Sequence, residues 1–105
     1  MQWNDEILNG ALMLFLDWDW YSVEQLNPLL REKYPEMSEA EATAYSQLGR
    51  EITHYAFDQI EAAYVERIPW PEAYQNIMSK YPGVSENSYL RLNAKGHYYA
   101  WRNNG

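Results

Sequence analysis

Apolar residues recur at spacings of three and four along Ile7, Leu8, Ala11, Leu12, Phe15 and Trp18, which predicts an amphipathic helix capped by Asn4 or Asp5. Leu14 and Leu16 widen the stripe, so this helix is expected to be central and contacted on more than one side. Asp17-Trp18-Asp19-Trp20-Tyr21 closes it. Ser22-Val23-Glu24-Gln25 then reads as a capping box opening a short second helix through about Lys33, unless Pro28 moves the start to Asn27-Pro28.

A second capping box, Ser38-Glu39-Ala40-Glu41, begins a stretch with no proline before Pro69. Ala42, Gly49, Ala56 and Ala63 fall at intervals of seven, and the stripe keeps its phase through Gly49. A chain that turned at Gly49 would have no reason to stay in register. One long helix over about 38–67, roughly 45 Å at 1.5 Å per residue, is therefore predicted. The small residues form a packing seam that lets a neighbouring helix approach closely, either helix 5–18 or the long helix of a second copy in a homodimer.

Pro69-Trp70-Pro71 forces a break, and a fourth helix follows through about Lys80. Residues 85–102 read as a helix capped by Ser85 show no clear apolar face. Read as strands, Ser88 to Leu92 alternates, Asn93-Ala94-Lys95-Gly96 fits a turn, and His97 to Arg102 is β-prone. The expected fold is mainly α: four helices, including the long one at about 38–67, with a small C-terminal β-hairpin at about 88–102. Lys33-Tyr34-Pro35-Glu36-Met37-Ser38-Glu39 returns forty-seven positions later as Lys80-Tyr81-Pro82-Gly83-Val84-Ser85-Glu86, and a glycine follows each serine by eleven, Gly49 and Gly96. The phrase marks a helix stop followed by a helix start.

A length of 105 residues suits one domain, 1–105, with a basic aromatic tail. With 47% hydrophobic residues, ten tyrosines and five tryptophans, the composition is that of an ordered chain. The absence of cysteine excludes disulfides and thiolate chemistry. The longest apolar run, Ala11 to Leu16, is too short to span a bilayer, so a cytoplasmic location is the default expectation. Residues 1–79 carry four Lys/Arg against fourteen Asp/Glu, net −10, whereas residues 80–105 carry Lys80, Arg91, Lys95 and Arg102 against Glu86, net +3. An acidic body repels phosphate backbones and attracts basic surfaces.

Glu51, His54 and Asp58 share a helical face, but a di-metal bundle site needs two Glu-x-x-His phrases and only one is present. Asp17 and Asp19 are closely paired acids, and turn formation explains them. No nucleophile or Gly-rich phosphate loop stands out, so neither enzymatic activity nor a cofactor is expected. Arg91, Lys95, His97 and Arg102 alternate with aromatic residues, and a short basic hairpin after helices resembles the wing of a winged-helix domain over 71–102. Ser85 to Gly96 is too short for both a recognition helix and a wing, and the stretch 38–67 holds Arg50 and Arg67 against six acids. In composition the chain is similar to small inhibitors and immunity proteins of bacteria and phages. The leading expectation is a non-enzymatic module that covers a basic site on a protein partner through Asp17, Asp19, Trp20, Glu51, His54, Asp58 and Glu61. The alternatives are a helix-turn-helix or winged DNA-binding regulator and an assembly subunit.

Overall fold

A computed structural model describes residues 3–17 and 22–104. These residues form five helices and no strand: α1 (Asp5–Asp17), α2 (Val23–Lys33), α3 (Glu39–Tyr64), α4 (Trp70–Lys80) and α5 (Glu86–Asn104). Side-chain caps set several of the starts. Asn4 Oδ1 accepts from the Ile7 amide at 3.1 Å. Ser22 and Gln25 complete a reciprocal capping box, so α2 starts there and carries Pro28 in its interior. Ser38 and Glu41 make the same exchange, with both bonds at 3.1 Å. Each such cap satisfies amides that lack partners within the helix and contributes about 1 kcal/mol.

The long helix ends at Tyr64, before the Pro69 that was expected to stop it. Glu66 takes φ 63. The Arg67 amide donates to the Ala62 carbonyl at 2.8 Å and the Glu66 amide to that of Ala63 at 3.1 Å, the bond pair of a Schellman turn. Glycine usually fills this left-handed position, and a side chain there costs about 1–2 kcal/mol. Glu66→Gly should therefore raise stability by about 1 kcal/mol, or roughly 4–8 °C in the thermal midpoint for a domain of this size. A lower midpoint would mean that the glutamate side chain contributes more than its backbone costs.

The chain divides into two compact units, Met1–Glu51 and Ile52–Gly105. In the first, α1 packs against α2, and Leu12, Leu26 and Leu30 are fully buried. The Asn27 carboxamide lies between the hydroxyls of Thr43 (2.7 Å) and Ser46 (2.6 Å), joining α2 to α3. In the second, Ile52, Ile60, Ile77 and Leu92 are fully buried, and Asn76 donates to Gln59 at 2.8 Å.

Both units follow one plan, forty-seven residues apart. Residues 5–17 of α1 correspond to the last thirteen of α3, α2 to α4, and Glu39 at the start of α3 to Glu86 at the start of α5. The repeated phrase occupies the same place in each. Tyr34 and Tyr81 donate cap amides to Leu30 and Ile77 at 2.8 and 2.9 Å, and Met37 and Val84 bond back to the two tyrosines at 3.0 and 3.1 Å. The α2–α3 and α4–α5 junctions are thus the same helix-turn-helix made twice.

No hairpin exists at 88–102; that stretch is α5. Ser85 Oγ accepts from the Ser88 amide at 3.1 Å and starts the helix. Its buried face is Ser88, Leu92, Gly96 and Ala100, an i, i+4 row. Gly96 is not in a turn but within the helix, where a Cβ would come 2.7 Å from Ile60 Cδ1. Among the described residues the fold therefore has five helices, not four with a hairpin.

Ala42, Gly49, Ala56 and Ala63 are all buried. A Cβ on Gly49 would lie 3.9 Å from the backbone of Ala11 in α1, so this part of the seam is filled from within the chain. Buried residues leave no seam on the long helix for a second copy to dock against.

Candidate binding surface

The outward face of α5 holds large apolar side chains, whereas its buried face is small but for Leu92. Leu90, Tyr98 and Trp101 are 54%, 52% and 58% exposed. With Ala94 they follow at spacings of four, four and three, which places them in one file along the helix. Tyr98 and Trp101 lie 6.2 Å apart between ring centroids. Arg91, Lys95 and Arg102, at spacings of four and seven, form the adjoining file. On strands these side chains would have fallen on opposite faces; the helix gathers them. His97 lies beside the apolar file, stacked on Trp70 at 4.5 Å and 9°, with Tyr64 edge-on at 6.0 Å.

The first copy serves as an internal control. Forty-seven positions before Leu90, Ala94 and Tyr98 stand Thr43, Gln47 and Glu51, of which Thr43 is half-buried and the others exposed, whereas His54, forty-seven before Trp101, already lies in the second unit. The places of Arg91 and Lys95 hold Ala44 and Leu48. The same helical positions accept polar groups in one copy and aromatic groups in the other. The plan of the fold therefore does not require the apolar file on α5.

The first unit has its own feature, an open recess of about 610 Å³ beside the first copy of the phrase. Ile7, Tyr34, Pro35 and Met37 give it an apolar lining, and Glu36, Glu41 and Lys33 stand on its wall. The Tyr34 hydroxyl reaches Gly10 of α1, filling the space that a Cβ would take. Burial, reinforced by Glu6, raises the Tyr34 phenol above its usual pKa. Hydrogen bonds from the Ser38 amide and hydroxyl keep the Glu41 carboxyl below the ordinary carboxylate value, so it remains ionised. Lys33 Nζ lies 5.8 Å from the centroid of the Tyr34 ring. The first unit has ten acids against three bases, net −7, and the second has five of each.

Of the residues singled out in the sequence, Glu51, His54 and Asp58 are exposed and Glu61 is half-buried on α3. Asp17 is exposed at the end of α1, and Asp19 and Trp20 lie outside the described residues. No group of three or more His, Asp or Glu among the described residues could hold a metal. Arg91, His97 and Arg102 are exposed and Lys95 half-buried, all on one helix. No helix among the described residues is long and apolar enough to cross a membrane. No protein-family model, curated protein or solved structure matches this chain.

Proposed function

We propose that this chain is a non-enzymatic protein-binding module whose contact surface is the outward face of α5. The observation that carries this reading is the file Leu90, Tyr98 and Trp101, exposed beside Arg91 and Arg102, with Leu90 and Tyr98 at positions that are polar in the first copy. Trp, Tyr and Arg are the side chains that most often dominate binding energy at protein interfaces. A helix presenting them at i, i+4, i+8 and i+11 suits a groove on a partner. In the inhibitor-type form of this function, the acids of the first unit would also cover a basic site on the partner; its net charge of −7 favours that form.

Affinity capture from the native host, comparing the natural chain with Trp101→Ala and Tyr98→Ala, tests the reading. A partner held by the natural chain should lose at least about 2 kcal/mol, roughly thirty-fold in affinity, with Trp101→Ala. Equal capture by all three chains would remove α5 as the contact. The DNA-binding alternative uses the same helix through Arg91, Lys95 and Arg102, and it predicts a low-salt gel shift that these three alanine changes abolish. The acidic first unit opposes it, and no shift is the expected result.

A further inference from the structure

The two surfaces described above are complementary. α5 is an aromatic ridge edged by Arg91, Lys95 and Arg102. The first unit offers an apolar recess edged by Glu36 and Glu41, on a body of net −7. We propose that a second copy of this chain seats the Tyr98–Trp101 end of its α5 in that recess, joining copies head to tail. The proposal rests on the reading of α5 as a protein-binding face and names its occupant.

Three properties match. A recess of about 610 Å³ falls in the range of about 300–1,000 Å³ that accepts ligands of drug size, so an indole and a neighbouring phenol are of suitable bulk. Its lining of Ile7, Pro35, Met37 and the Tyr34 ring is apolar, as the side chains of Tyr98 and Trp101 require. The charges at the rims are opposite. Lys33 on the recess wall is a like charge for the α5 bases, but Glu36 and Glu41 outnumber it and its ammonium lies over the Tyr34 ring. Charge complementarity of this kind steers association and selects register.

The contact is heterologous, with different patches on the two partners, so copies either keep adding end to end or close into a ring. Association should therefore grow as concentration rises. Sedimentation velocity from micromolar to millimolar chain tests this. At low salt the weight-average mass should rise above the 12.5 kDa of one chain. In about 1 M salt, where the Debye length shrinks to about 3 Å, the rise should be several-fold smaller. Trp101→Ala removes the ridge and Glu36→Lys reverses the rim; both positions are exposed, and circular dichroism checks that each variant is folded. Each variant alone should remain a single chain. An equimolar mixture should form two-chain complexes and nothing larger, because the Glu36→Lys chain keeps its ridge and the Trp101→Ala chain keeps its recess. Tyr98→Ala replaces Trp101→Ala if the latter fails to fold.

A natural chain that stays at one-chain mass throughout, or a mixture that fails to associate, overturns the proposal. If the chain is monomeric while capture of another protein still depends on Trp101, the second copy is the wrong occupant and the binding face stands. If neither occurs, both readings fall.

Discussion

Truncating Leu30 or Ile77 to alanine should cost about 2–5 kcal/mol, against a total stability of about 5–15 kcal/mol for a natural domain. The two residues stand at matching places in the two units, and both are fully buried. Their carbonyls also accept the cap amides of Tyr34 and Tyr81, so each anchors the turn that follows as well as the core beneath it. Urea titration should show each loss as a lower midpoint. Trp101→Ala and Tyr98→Ala, made on exposed side chains, should stay within about 0.5 kcal/mol of the natural chain. That separation gives the functional reading its force: residues that hold the fold are distinguished from residues whose exposure the fold does not explain. If Trp101→Ala cost as much as Leu30→Ala, the aromatic file would belong to the fold and could not be assigned to a partner.

Signals confined to a few residues were legible in the sequence. Asn4, Ser22-Gln25 and Ser38-Glu41 act within one helical turn, and each caps where its spacing predicts. Signals that depend on packing were not. The face that α5 buries is Ser88, Leu92, Gly96 and Ala100, three of them too small to register in an apolar count, while the bulky Leu90, Tyr98 and Trp101 point outward. Together with the β-prone stretch from His97 to Arg102, this inversion made a hairpin look better than a helix. The end of α3 was hidden because Glu66 occupies a left-handed position that sequence reading reserves for glycine. Lys-Tyr-Pro was legible as punctuation, but the structural repeat around it lies in helix lengths and spacing more than in shared residues. At the candidate site, Arg91, Lys95 and Arg102 were visible as a group, and only helical spacing gathers them into one file. The recess depends on Ile7 meeting Pro35 and Met37 in space, which no local pattern announces.

The small-residue face of α5 makes its own prediction. Gly96→Ala should lower stability by about 1–3 kcal/mol, the usual cost of forcing extra volume into a packed core. The new Cβ would lie 2.7 Å from Ile60 Cδ1, 3.1 Å from Cγ2 and 3.2 Å from Cβ. Ile60 is itself fully buried on α3, so it has little room to retreat. Gly49→Ala, at the matching place in the first unit, is the control. Its Cβ would meet Ala11 at an ordinary 3.9 Å, so the gain in helix propensity, about 1 kcal/mol, should appear as neutral to higher stability. Ile60→Val removes the nearest methyl and should recover part of the Gly96→Ala loss, although alone it costs about 0.5–1.5 kcal/mol. A favourable coupling energy in that double-mutant cycle would identify the clash as the cause. If Gly96→Ala proved as harmless as Gly49→Ala, the close approach of α5 to Ile60 would not be what holds this helix in place, and the orientation of its aromatic face would need another cause.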